Sequence, residues 1–129
     1  MPWTFQQSTG KLTRPDGTLA ATGYAGGNIG DAWDAKWVNN PDAQCVHNCG
    51  PLPRGTYYMQ DPIEHSRVGA YAIPLKPDPA NDMCKRGDFY CHGDLIADPG
   101  HGSEGCIVMP RPVREAMWKS DDHTVSVVR

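Results

Sequence analysis

The stretch that decides the reading is Phe89-Tyr90-Cys91-His92-Gly93-Asp94, then a Pro/Gly loop, then His101-Gly102-Ser103-Glu104-Gly105-Cys106-Ile107-Val108-Met109. A β-prone segment delivers a histidine, and a cysteine emerges downstream from a glycine-flanked turn. An imidazole and a thiol on adjacent backbones are a base and a nucleophile. An unaided thiol, with a pKa of about 8.5, is mostly protonated at neutral pH. An imidazole in hydrogen-bond reach takes that proton and later returns it to a leaving amine. Gly102 and Gly105, with Ser103 and Glu104 between them, let the backbone turn sharply. The N–H groups of Glu104, Gly105 and Cys106 then converge where an oxyanion forms, each such donor being worth about 3 kcal/mol. The competing reading of the same residues is a buried strand beginning at Gly105, with the thiol as a small apolar filler.

Working outward, period-two alternation over Phe89 to Gly93 puts Tyr90 and His92 on one face and Phe89 and Cys91 on the other. Downstream, Ile107-Val108-Met109 has buried character and Pro110 and Pro112 suit a helix start. The pattern predicts a helix over Arg111 to Lys119 and a closing strand over Thr124 to Val128. Upstream, Gly50-Pro51-Leu52-Pro53-Arg54-Gly55 is a rigid turn feeding a strand from Thr56 to Gln60, with a further strand over Ala70 to Leu75. Lys76 to Asp88 reads as a surface loop. At the start, turn signals at Ser8-Thr9-Gly10, Pro15-Asp16-Gly17 and Gly26-Gly27-Asn28 separate short segments, the signature of a β-meander. Trp33 and Trp37, four apart, predict one short helical turn with an aromatic face in the local core.

With 129 residues the chain is long enough for one core, and its 14 Gly and 12 Pro favour a β-rich architecture over a bundle. A net charge of −3 with scattered Lys and Arg argues against nucleic acid as a partner. No apolar run is long enough to insert in a membrane. The start Met1-Pro2-Trp3-Thr4-Phe5 lacks the features of a signal peptide, so export by the general pathway is not expected. Five cysteines leave an odd one, for which Cys106 is the candidate. Cys45, Cys49, Cys84 and Cys91 can then form two disulfides in any of three connectivities, and if they are oxidised the working compartment is an oxidising one. Cys45-Val46-His47-Asn48-Cys49 with Cys84 and Cys91 also admits a zinc site, although C-x-H-x-C is an uncommon knuckle.

The segments His92-Gly93 and Ser103-Glu104-Gly105-Cys106-Ile107 resemble the His-Gly and Ser/Thr-His-Gly-Cys-Ile signature of L,D-transpeptidase catalytic domains. Gly50 to Tyr57 is similar to the Gly-x-Pro-x-Gly-x-Tyr/Phe turn upstream in those domains. Trp3 to Gly10, Gly23 to Gly27 and Ser103 to Pro110 together resemble a compact branch delivered as antibacterial effectors by type VI secretion. The resemblance spans nearly the whole chain, excepting Asp31 to Cys49 and Asp78 to Gly87. It implies a mainly β fold, an L,D-transpeptidase-like β-sandwich or barrel with one short helix in the C-terminal half, residues 1–129 forming one catalytic domain.

By the same resemblance Cys106 is the nucleophile, His92 the general base, and the Gly93 carbonyl orients the imidazole. The implied substrate is the stem peptide of Gram-negative peptidoglycan, attacked after meso-diaminopimelate with release of D-Ala and formation of a thioester. Water then gives L,D-carboxypeptidase activity, and a D-amino acid gives exchange. No metal or cofactor is implied. A monomer, a secretion-apparatus carrier, a cognate immunity protein over the cleft and action in the target-cell periplasm are the accompanying expectations.

Two positions depart from the pattern. Glu104 stands where the family has a second His, and Val108 where it has an Arg, so another cation must hold substrate carboxylates. Arg54 and Arg111 are the candidates for that cation, with Ser103, His101 and Tyr90 as further substrate contacts. Two other classes stay open: a papain-like amidase, in which the Cys normally precedes the His, and a non-catalytic wall-binding module.

Overall fold

The computed structural model describes residues 2–129. Ten strands and one α-helix follow in the order β1 (Trp3–Gln6), β2 (Lys11–Thr13), β3 (Leu19–Thr22), β4 (Tyr24–Ala25), β5 (Gly55–Met59), β6 (Ile63–His65), β7 (Gly69–Pro77), β8 (Tyr90–His92), β9 (Ile107–Val108), α1 (Arg111–Lys119) and β10 (Thr124–Val128). The strands join in one mixed sheet, β3-β2-β1-β10-β5-β7-β8-β9-β4, with β6 added on β7. The β-rich class with one helix in the C-terminal half is therefore the observed one.

Alternation drives the core. Trp3 and Phe5 of β1, Tyr57 and Met59 of β5, and Val125 and Val127 of β10 are buried on one face of their strands. They meet Leu12, Leu52, Ile73, Leu75, Cys91, Ile107 and Met109 in a single cluster that Met117 of α1 closes. The first and last strands are neighbours inside the sheet, β1 running parallel to β10 in the register Trp3↔Val125 to Gln6↔Val128. β1, β2 and β3 form the expected meander.

β7 joins the two halves. Its end pairs with β5, its middle with β8 and its start with β6. β8 and β9 are parallel, a pairing that needs a long crossover, and residues 93–106 supply it as a loop without a helix. Asp94 organises that loop: its carboxylate accepts from Tyr24 Oη at 2.6 Å and from the N–H groups of Leu95 and Gly100, and Gly102 N–H donates to Tyr24 Oη. Arg114 of α1 is buried and donates to the carbonyls of Met109, Ala70 and Tyr71, tying the helix to β7 and to the end of β9.

Three features differ from the sequence expectations. β6 was absent from them, because its residues are exposed or half-exposed and carry no alternation; β7 alone holds it in place. β7 runs on to Pro77, shortening the loop expected from Lys76. Trp33 and Trp37 do not share a helical turn: two 3-10 turns, Gly30–Ala32 and Ala35–Trp37, flank Trp33, and Asp34 caps the second by accepting from Lys36 N–H. Both indoles are half-exposed, Trp33 stacked on His101 at 4.0 Å and Trp37 beneath the Lys36 ammonium.

The cysteine pairing also differs. Cys45 is bonded to Cys84, and Cys49, Cys91 and Cys106 are free. Cys91 cannot bridge because it points into the core against Met117, where burial pushes its thiol up to about 12. The disulfide also removes Cys45 and Cys84 from the zinc site the spacing admitted. Among the described residues no helix is long and apolar enough to cross a membrane.

Candidate active site

Parallel registers Cys91↔Ile107 and His92↔Val108 set the site. Cys91 and Ile107 are fully buried in the core, so their neighbours Cys106 and His92 lie on the opposite face of the two strands. The two are diagonal neighbours, with backbones on the order of 8 Å apart from strand spacing and rise. Both line one cavity of about 600 Å³, together with Tyr90, His65, Arg67 and Arg86.

His92 is 3% exposed, and its Nδ1 lies 2.7 Å from the Gly93 carbonyl oxygen. A carbonyl only accepts, so Nδ1 carries the proton and Nε2 keeps its lone pair. Burial holds the imidazole below its ordinary value, and the Gly93 bond opposes that only in part. The ring is therefore neutral at pH 7. Cys106 Sγ receives the Tyr90 N–H at 3.3 Å and lies 3.9 Å from the Asp88 carbonyl. Burial pushes this thiol up to about 11; the Tyr90 N–H pulls it back, Glu104 raises it, and Arg86 and Arg67 lower it.

Sequence reasoning expected the imidazole to ionise the thiol. Burial works against the charged form of both groups in the resting site, a thiolate at Cys106 and an imidazolium at His92. A thiol raised in this way by burial keeps its proton at pH 7. In a Cys49→Ser background, iodoacetamide alkylation of Cys106 is expected to rise about tenfold per pH unit from pH 7 to pH 9. A plateau already reached at pH 6 would show a resting thiolate–imidazolium pair instead.

The turn that presents Cys106 is built by Ser103. Its hydroxyl is buried, accepts from Gly26 N–H at 2.9 Å and Gly105 N–H at 3.1 Å, and donates to the Cys106 carbonyl at 2.6 Å. Ser103 is thus a clamp on the turn rather than a group facing substrate. The Gly105 N–H, expected in the oxyanion site, is engaged by that hydroxyl, which leaves those of Glu104 and Cys106. Gly105 itself has φ +142, and a Cβ there would lie 2.5 Å from Arg86 Nη2.

The remaining candidates separate. Tyr90 lines the cavity and meets His65 edge-on at 5.0 Å. His101 is turned away, stacked on Trp33 and paired with Asp98. Arg54 belongs to a buried polar network behind the site: its Nη1 donates to Gln7 Oε1, its N–H to Gln44 Oε1, and Gln7 Nε2 donates to the Leu52 carbonyl. Arg111 sits on the exposed first turn of α1, over the Tyr71 ring and 3.9 Å from Glu115. Neither arginine lines the cavity.

The cations that do were not singled out from sequence. Arg67, between β6 and β7, reaches across the cleft to pair with Glu104, and Arg86 bonds to the Glu104 carbonyl in the turn before Cys106. No local signal marks either residue, because each meets the site only through contacts distant in sequence.

The Tlde1 domain matches residues 32–128. The chain belongs to the Tlde1 domain family. This is a family of type VI secretion effectors of the L,D-transpeptidase-like branch, enzymes with antibacterial, peptidoglycan-directed activity. No curated protein matches the chain. The Tlde1 match holds Cys106, His92 and every cavity-lining residue named above, while β1 to β4 precede it. Those strands are nonetheless bound to the matched part, β1 on β10 and β4 on β9.

Proposed function

We propose that this Tlde1-domain protein is an L,D-carboxypeptidase that removes D-Ala from peptidoglycan stem tetrapeptides through a thioester on Cys106. The observation that carries the reading is that His92, on β8, and Cys106, just before the parallel strand β9, line the same cavity. Cys106 Sγ attacks the carbonyl of meso-diaminopimelate as its proton passes to His92 Nε2. The imidazolium gives that proton to the amine of D-Ala as the C–N bond breaks. Water, deprotonated by the same nitrogen, then cleaves the thioester, the proton returns to sulfur, and the products are the tripeptide and D-Ala. Because both groups start neutral, thiolate and imidazolium form only in the reaction step. The N–H groups of Glu104 and Cys106 receive the oxyanion. A D-amino acid in place of water gives exchange.

Arg67 is the cation for a substrate carboxylate. Its side chain is 68% exposed and its partner Glu104 is on the nucleophile turn. An exposed pair of this kind is worth about 0–1 kcal/mol, so a substrate carboxylate displaces Glu104 at little cost. Arg67→Ala is expected to raise KM for a tetrapeptide about tenfold, a loss of about 1.4 kcal/mol of binding, with kcat within about threefold. An unchanged KM would remove Arg67 from substrate recognition.

The direct test is mass spectrometry of muropeptides after incubation with sacculi. Tetrapeptides should fall and tripeptides rise in equal amount; unchanged muropeptides would overturn the assignment. The effector acts in the target-cell periplasm. Fusion to a periplasmic signal peptide is expected to arrest growth where cytosolic expression does not. A secretion carrier brings the monomeric chain there, and an immunity protein covers the cleft in the producing cell.

A further inference from the structure

Arg86, in the loop between β7 and β8, is half-buried and makes four hydrogen bonds, all to backbone carbonyls. Nη1 donates to Gln44 at 2.6 Å and Pro51 at 2.9 Å; Nη2 donates to Gly50 at 2.9 Å and Glu104 at 3.0 Å. The guanidinium carbon also lies 5.1 Å from the centre of the Phe89 ring. Carbonyls here accept from four of the five N–H donors of the guanidinium without cancelling its charge. The guanidinium therefore stands as a cation against the turn that carries Cys106.

Two observations tie it to that turn. The Glu104 carbonyl it holds belongs to the peptide entering Gly105, and the next carbonyl, that of Gly105, accepts Leu52 N–H at 2.9 Å. Consecutive peptides are thus fixed from behind by two different segments. The space a Gly105 side chain would need is filled by Arg86 Nη2, Phe89 and the Gly50 carbonyl.

We propose that Arg86 is the positioning residue of the nucleophile turn: it fixes the Glu104–Cys106 backbone in its reactive orientation and sets a positive charge beneath the sulfur. The inference rests on Cys106 being the nucleophile. Groups acting on that sulfur from the surrounding elements are Glu104 on its own turn, Arg67 from the β6–β7 hairpin, Arg86 from the β7–β8 loop and Tyr90 from β8, with His92 of β8 in the same cavity. Asp88, Lys85, His65 and His47 are the other titratable residues lining the cavity. Of these, Arg86 alone bonds to the backbone of the turn while carrying a positive charge. Arg67 reaches only the Glu104 side chain.

The test uses Arg86→Met and Arg86→Lys in the full-length chain, each in the Cys49→Ser background, with tetrapeptide turnover and the pH profile of Cys106 alkylation as readouts. Arg86→Met is expected to lower kcat about 10²-fold with little change in KM, and to move the alkylation profile to higher pH. Arg86→Lys keeps the charge without the four-way fork, so it should return the alkylation profile toward that of the parent while recovering only part of kcat. A folded Arg86→Met protein with parental kcat and alkylation profile overturns the proposal. If Arg86→Met does not fold, Arg86→Lys decides: parental kcat in that variant overturns the positioning role. Alkylation reads the Cys106 environment whether or not the tetrapeptide is the substrate. A shifted profile with no D-Ala release by the parent would therefore sink the carboxypeptidase reading and leave the Arg86 assignment standing.

Discussion

Cys106→Ala is expected to abolish D-Ala release from tetrapeptides, lowering kcat by at least about 10⁴-fold while the protein keeps its fold. The thiol is half-buried at the rim of the core and Ala removes one atom, so the loss is chemical. His92→Gln should fall nearly as far, because the nucleophile and its base act as a unit and their losses do not add. With the thiol protonated at rest, no thiolate waits for substrate, and the base is needed at every turnover. The double variant should therefore be no slower than the worse single one. Comparable D-Ala release by Cys106→Ala would remove Cys106 as the nucleophile, and an effect on sacculi kept by Cys106→Ala with no D-Ala released would return the chain to a wall-binding module.

The second large effect concerns the disulfide. Cys45 and Cys84 close a loop of sequence separation 39, for which the chain-entropy relation gives about 4 kcal/mol of stabilisation. Cys45→Ala/Cys84→Ala is expected to lower the unfolding free energy by up to that amount, read from the midpoint of urea unfolding. A change below about 1 kcal/mol would mean that the contacts around it suffice, chiefly the His47 Nε2 bond to the Cys84 carbonyl at 2.8 Å and the four bonds of Arg86. The bridge joins the segments bearing His47 and Asn48 to those bearing Lys85 and Arg86, all of them cavity-lining. Activity should thus fall at lower urea concentration than the global transition. An oxidising compartment is where the bridge persists.

Much of the fold is legible because local chemistry specifies it. Pro110 and Pro112 set the start of α1, and alternating valines specify β10; both elements occupy the predicted residues. Trp3 and Phe5 mark β1 by the same two-residue period. Where the pattern failed, its physical signal was absent. β6 has no apolar face to alternate, and Trp33 takes its partner, His101, from a distant loop rather than from Trp37. Cysteine pairing escaped for the same reason: spacing allowed three connectivities, and only packing sends Cys91 into the core and brings Cys45 to Cys84.

By itself, the sequence determined a β-rich chain with an imidazole on a strand and a thiol emerging from a glycine-flanked turn, since alternation and turn residues are properties of short stretches. Tertiary structure alone decided which charges surround that pair. Arg54 and Arg111 lie outside the cavity while Arg67 and Arg86 line it, and burial keeps the thiol protonated. An arginine's placement depends on carbonyls and carboxylates supplied by segments dozens of residues away, and desolvation depends on everything packed around the group. Neither quantity is written in any local run of residues.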